Sequence, residues 1–86
     1  MEIIISNNAN KPIYEQITSQ IKAMIMSGEL QAGDAIPSMR SLAKSIHVSV
    51  ITVQKAYEDL QRDGFTYAID NTLLYIEDVE NNKPLI

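Results

Sequence analysis

The sequence predicts a small, mainly α-helical domain that ends in a two-stranded β-hairpin. Apolar residues recur at helical spacing in three segments, and single glycines follow the first and the third of them. Two short runs rich in β-branched, aromatic and other apolar residues then flank the pair Asp70-Asn71. With 86 residues, 45% of them hydrophobic, the chain suffices for one small core rather than two domains.

The first helix is predicted at about residues 12–27. Pro12 suits the first turn of a helix because its missing N–H would have no partner there. Gly28 suits the left-handed conformation that commonly ends a helix. The apolar stripe between these two signals consists of Ile13, Ile17, Ile21, Met24 and Ile25.

Two further helices are predicted on either side of a short connection, His47-Val48. Ser38 and Ser49 stand where a hydroxyl would cap the first turn of each helix. Gly64 ends the third helix, which is expected at about residues 49–63. The predicted buried residues are Met39, Leu42, Ala43 and Ile46 in the second helix and Val53, Ala56, Tyr57 and Leu60 in the third.

The hairpin is predicted to turn at Asp70-Asn71, since both residue types tolerate positive φ. This turn predicts one large apolar face against the helices, with pairs Ile69–Thr72, Tyr67–Leu74 and Phe65–Ile76. Three helices and a hairpin in this order predict a winged helix-turn-helix. The expected organisation is an N-terminal arm at 1–11, whose residues 2–5 form either a short strand or an extended segment, the domain at 12–76, and an acidic tail at 77–86.

Charge and residue chemistry narrow the possible functions. The formal net charge is −4, but the bases and acids between residues 11 and 64 cancel, so the helices can still carry a basic patch. The chain has no cysteine and a single histidine, His47, and its glycines are isolated, so neither an enzyme nor a metal or cofactor site is expected. The pair Glu58-Asp59 is expected to be a solvated charged face. No apolar run reaches membrane-spanning length, so we expect a cytoplasmic protein that does not enter the membrane.

An ordered set of short motifs carries a family resemblance over about residues 12–65. These motifs are Pro12-Ile-Tyr-Glu-Gln-Ile17, Ile21, Ile25, Gly28-Glu-Leu30, Gly33-Asp34, Ile36-Pro-Ser-Met-Arg-Ser-Leu-Ala43, Val48-Ser49, Thr52-Val53, Ala56-Tyr57, Leu60 and Gly64. In them the chain resembles the N-terminal winged-helix domain of GntR-family bacterial transcription regulators, especially the short YtrA-like branch. The resemblance implies a homodimeric module that binds double-stranded DNA and usually represses transcription, with its third helix in the major groove and its wing in the minor groove.

The positions that would read DNA depart from the family pattern. Relatives often carry arginine where this chain has Val50, and a second basic residue where it has Gln54. Arg40, in contrast, matches the basic residue that contacts DNA in relatives. Glutamine can bond adenine and branched side chains can meet thymine methyl groups, so A·T-rich sequence is favoured. Val50 and Ile51 are equally compatible with core or interface positions. The residues expected to contact DNA are Ser38, Arg40, Lys44, Ser49, Val50, Thr52, Gln54, Lys55 and Asn71.

A second hypothesis is a winged-helix protein-interaction module that has weakened or lost DNA binding and modulates another regulator. Val50 and Leu73 would offer apolar contacts, while Asp70 at the wing tip would repel the negative minor groove. Neither hypothesis predicts an effector from the residues.

Overall fold

The computed structural model describes residues 1–8, 10–69 and 73–78. Its elements follow the predicted order, so the predicted fold of three helices and a two-stranded hairpin is confirmed. They are α1 (Ile13–Ser27), α2 (Met39–Ile46), α3 (Val50–Arg62), β1 (Thr66–Ala68) and β2 (Leu74–Ile76).

The helix boundaries arise from the predicted capping residues. Gly28 ends α1 in the left-handed region at φ 86°, and its N–H donates to the Ile25 carbonyl. Ser38 and Ser49 are the N-caps of α2 and α3. The helices pack around one core, with α3 between α1 and α2 and the hairpin covering one edge. The fully buried large side chains at its centre are Ile17, Ile21, Ile36, Val53, Leu60 and Ile76.

The first residues of the N-terminal arm lie against α1, and the structure assigns no strand within residues 1–8. Ile3 is only 7% exposed and belongs to the core. The Gln20 amide binds both backbone groups of Ile4, accepting from its N–H at 2.9 Å and donating to its carbonyl at 2.6 Å. Gln16 binds the N–H and carbonyl of Ser6 in the same way, both at 2.9 Å. Two glutamine side chains therefore take the place of a partner strand for the arm.

The hairpin register differs from the predicted one by one residue. The observed pairs are Thr66–Ile76, Tyr67–Tyr75 and Ala68–Leu74, so the predicted pairs Tyr67–Leu74 and Phe65–Ile76 are wrong. The described strands end at Ala68 and resume at Leu74. The predicted turn at Asp70-Asn71 lies outside the described residues, as does the predicted partner Thr72.

The second edge of β2 accounts for this register. Three backbone hydrogen bonds fix β2 against the segment 33–36: Gly33 N–H to Ile76 O at 2.8 Å, Ile76 N–H to Asp34 O at 2.8 Å, and Ile36 N–H to Leu74 O at 3.0 Å. They hold Leu74 and Ile76 toward the core, and β1 pairs so that Thr66 faces inward.

The inward position of Thr66 overturns the predicted apolar face. Tyr67 pairs with Tyr75 on the opposite face, where their rings stack at 5.7 Å between centroids, and Ile69 is 73% exposed.

In the part of the chain that the structure describes, no helix is long and apolar enough to cross a membrane.

Candidate nucleic-acid interface

The turn between α2 and α3 sets the angle at which the two helices meet. His47 ends α2 in the left-handed conformation, with φ 58° and ψ 46°, and the Val48 N–H donates to the Ala43 carbonyl at 3.1 Å. The Tyr57 hydroxyl donates to the Pro37 carbonyl at 2.7 Å and so joins α3 to the start of α2. His47 therefore has a structural position in the turn. No group of three or more His, Cys, Asp or Glu side chains in the described residues is arranged to hold a metal ion.

Both serines that were expected to contact DNA cap a helix. The Ser38 hydroxyl accepts from the Ser41 N–H, and the Ser49 hydroxyl accepts from the Thr52 N–H, each at 3.1 Å. The Ser49 and Thr52 hydroxyls also lie 2.8 Å apart in a hydrogen bond. A capping oxygen uses only acceptor capacity, so the Ser38 O–H remains able to donate to a phosphate oxygen.

One face of α3 is exposed along its whole length. Ile51 is 77% exposed and Val50 is 40% exposed, which excludes both from the core of this chain. Gln54 and Lys55 are exposed one turn later, and Thr52 is half-buried at the edge. The opposite face is buried as predicted and consists of Val53, Ala56, Tyr57 and Leu60. The exposed face therefore offers amide and methyl groups to a partner.

The positive charges divide into paired and unpaired groups. Arg40 and Lys44 are exposed one turn apart on α2 and form no ion pair with any described residue. Both lie on α2, the helix that precedes the turn, with Lys44 in its last turn. The paired cations are Lys22, 3.3 Å from Asp63, and Arg62, 3.0 Å from Asp59 and 3.4 Å from Asp63.

Two contacts on α3 were not anticipated from the sequence. The Lys55 ammonium lies over the Tyr14 ring of α1, 4.6 Å from its centroid, a position that orients the side chain without neutralising it. The Gln54 Nε2 donates to Glu58 Oε1 at 3.0 Å. The spacing of four residues between Gln54 and Glu58 is a signal for such a pair, whereas nothing in the sequence joins Tyr14 to Lys55.

The structure brings eight of the nine expected contact residues onto α2, α3 and their caps. Asn71, the ninth, lies outside the described residues, as does Asp70. Three helices with a short turn between the second and third, followed by an antiparallel hairpin, define a winged helix-turn-helix of the DNA-binding class.

Comparison with known proteins identifies the family. The model of the family described as "Bacterial regulatory proteins, gntR family" matches residues 13–71, and the chain belongs to this family of DNA-binding transcription regulators. The chain is 40% identical over 81 residues to the HTH-type transcriptional repressor YtrA of Bacillus subtilis, covering 94% of this chain and 61% of that repressor. It thus spans about three fifths of the length of this relative.

Solved structures agree in fold. YtrA from Sulfolobus acidocaldarius, a GntR-family transcription factor, superposes with a TM-score of 0.84 at 39% identity, over 93% of this chain and 85% of that one. The N-terminal domain of AraR, solved in complex with mutant ORR3, superposes with a TM-score of 0.71 at 27% identity, over 77% of this chain and 94% of that one.

Proposed function

We propose that this chain is a sequence-specific DNA-binding repressor that acts in the cytoplasm as a homodimer and has no enzymatic activity. The observation that supports this most directly is the exposed face of α3, together with Arg40 and Lys44, two exposed cations on α2 that form no ion pair with a described residue. The domain of AraR solved with ORR3 DNA has the same fold, and the Bacillus YtrA relative is itself named a repressor.

In the proposed complex, α3 enters the major groove and α2 crosses the backbone. Arg40 and Lys44 bind phosphates, and Lys55, held by Tyr14, adds a third contact. Gln54 offers an amide to adenine, and Val50 and Ile51 offer methyl groups to thymine, so the preferred sequence is rich in A·T pairs. The first three turns of α3 contain no arginine, and their only cation is Lys55. This part of the helix therefore offers no arginine to pair with guanine.

A single domain with about three phosphate contacts binds weakly, and its affinity falls steeply with salt. The proposed homodimer overcomes this weakness by binding two half-sites, which lie about 34–36 Å apart or a multiple of that distance. The domain at 12–76 is the proposed DNA-binding unit, with the wing tip at Asn71 reaching the adjacent minor groove.

The test begins with selection of bound duplexes from a randomised pool by the whole chain. Fluorescence anisotropy then measures the dissociation constant of the selected duplex between about 50 and 200 mM salt. Over this range the affinity falls about tenfold for every few phosphate contacts, so the salt dependence reports their number. We expect an A·T-rich selected sequence, and Arg40→Gln to weaken binding and to reduce the salt slope by about one. Arg62→Gln is the matched control, since it changes net charge equally but removes a cation that already pairs with Asp59. Failure to enrich any sequence would refute the proposal.

The alternative, a protein-interaction module that modulates another regulator, is favoured by one observation. Ile51 is 77% exposed at the start of α3 and is adjacent to Val50, which is 40% exposed, so the two side chains offer a small apolar surface that a protein partner could cover. Ile51→Ser separates the two functions. It would abolish a complex with another regulator in the alternative, whereas in the proposed function it changes only the preference for thymine in the selected duplex.

A further inference from the structure

We propose that Glu58 determines the specificity of DNA binding, by orienting the amide of Gln54 and by opposing sequence-independent contact with phosphate. This inference rests on the proposed function and deepens it. It begins from the hydrogen bond of 3.0 Å between Gln54 Nε2 and Glu58 Oε1 on the exposed face of α3.

Glu58 lies on the same stripe of α3 as the residues proposed to read bases. Ile51, Gln54 and Glu58 follow at intervals of three and four residues, and all three are exposed. Glu58 stands on the third turn of the helix, beyond the N-terminal residues that usually reach the base edges. From there its carboxylate faces the backbone of a duplex that α3 enters.

The charge of Glu58 is not compensated within the described residues. Asp59 and Asp63, its acidic neighbours on and after α3, pair with Arg62. The partner of Glu58 is the neutral amide of Gln54, and no cation among the described residues forms an ion pair with this carboxylate. This charge opposes Arg40, Lys44 and Lys55 whenever the domain lies against phosphates without a matching sequence.

The same hydrogen bond fixes the amide of Gln54. Bidentate recognition of adenine needs the glutamine oxygen to accept from N6 and its nitrogen to donate to N7. The bond to Glu58 engages one hydrogen of Nε2, which leaves the second hydrogen and the oxygen directed away from Glu58. Glu58 is thus a positioning residue that selects the amide orientation before DNA arrives.

Two variants separate charge from orientation. Glu58→Gln removes the charge but keeps an oxygen that can accept from Gln54, whereas Glu58→Ala removes both. Glu29→Gln is the matched control for net charge, because Glu29 is exposed in the loop after α1 and outside the proposed interface. Anisotropy measures each variant on two probes, the duplex selected by the unmodified chain and a shuffled duplex of the same composition, across a salt series.

We expect Glu58→Gln to tighten binding to the shuffled duplex about two- to tenfold at low salt. The dissociation constants of the shuffled and the selected duplex should therefore differ less for this variant than for the unmodified chain. Glu29→Gln should change this binding less than twofold. Glu58→Ala should show the same gain on the shuffled duplex and, in addition, a weaker preference for adenine when single pairs of the selected duplex are replaced.

The inference is overturned if Glu58→Gln behaves as Glu29→Gln on the shuffled duplex, or if Glu58→Ala keeps the adenine preference of Glu58→Gln. A selective loss on the selected duplex alone would also overturn it, since Glu58 would then be accepting from a cytosine amino group. These outcomes leave the proposed function standing. If the unmodified chain selects no sequence, the proposed function fails and this inference fails with it.

Discussion

Replacing Tyr57 by phenylalanine tests how firmly the two helices of the motif are joined. Tyr57 is 2% exposed, and its hydroxyl donates to the Pro37 carbonyl at 2.7 Å, next to the N-cap of α2. Tyr57→Phe keeps the ring among its core neighbours and removes only the oxygen. The Pro37 carbonyl then loses its donor at the point where α2 begins.

The expected cost follows from these surroundings. A net intramolecular hydrogen bond contributes about 0.5–1.5 kcal/mol, and a buried acceptor left unpaired adds a further penalty. Pro37 is only partly buried, so water can replace part of the lost bond. We therefore expect the free energy of unfolding to fall by about 1–1.5 kcal/mol, which lowers Tm by about 4–12 °C in a domain of this size.

Urea denaturation followed by circular dichroism measures this change, with Tyr75→Phe as the matched control. Tyr75 is half-buried, and its hydroxyl has no hydrogen-bond partner in the described residues, so its removal should alter stability by less than about 0.5 kcal/mol. Equal stability of the two variants would refute the role assigned to the Tyr57 hydroxyl.

The same variant predicts a difference at high pH. Burial raises the pKa of the Tyr57 phenol above its ordinary value of 10.0. A pKa that is raised in the folded state means that the contribution to stability is complete below about pH 10 and is lost as pH rises further. The unmodified chain should therefore lose stability above about pH 10 more steeply than Tyr57→Phe, as measured by Tm across an alkaline pH series.

Three further substitutions follow from the contacts. The Thr66 Oγ1 is buried without a hydrogen-bond partner among the described residues, so Thr66→Val should raise the free energy of unfolding by about 1 kcal/mol in urea denaturation, and a loss would contradict this. Gln20→Leu should speed amide exchange at Ile4 while the core keeps its protection, and unchanged exchange at Ile4 would show that the arm is held by other contacts. A hydrogen bond from Lys22 lowers the pKa of Asp63. The contribution of the ionised Asp63 to the stability of the fold is therefore present above about pH 4 and is lost as pH falls. Asp63→Asn should flatten the fall of Tm below pH 4, and an unaltered acid profile would count against the pair.

The helices were predictable because their signals are local. Ser38 and Ser49 cap the starts of α2 and α3 through N–H groups three residues away. Gly28 and Gly64, both in left-handed conformations, follow the ends of α1 and α3. The buried stripe of α3 follows from helical spacing alone, so the exposure of Gln54 and Lys55 was predictable by exclusion, whereas the exposure of Val50 and Ile51 was not.

The wing and the arm depend on partners far away in the sequence. A two-residue turn at Asp70-Asn71 is the best local interpretation of that segment, but β2 is fixed on its other side by Gly33–Ile36, some forty residues earlier. Gln16 and Gln20 have the spacing of two polar positions on a helix, and nothing local indicates that both would bind the backbone of the arm. The sequence indicates which segments need hydrogen-bond partners for their backbone groups. Only the fold shows which distant residues supply those partners.

The same distinction applies to charge at the proposed interface. A formal net charge of −4 argues against binding to DNA when the whole chain is treated as one sum. In the fold, Asp59 and Asp63 lie against Lys22 and Arg62, which removes acids and bases together from the surface field. Arg40 and Lys44 remain unpaired with any described residue, and the unpaired carboxylate on the exposed face of α3 is that of Glu58. Pairing therefore determines the electrostatic field at the proposed interface. Among the described residues of α2 and α3, the cations that lack an ion pair, Arg40, Lys44 and Lys55, outnumber the one exposed acid without an ion pair, Glu58.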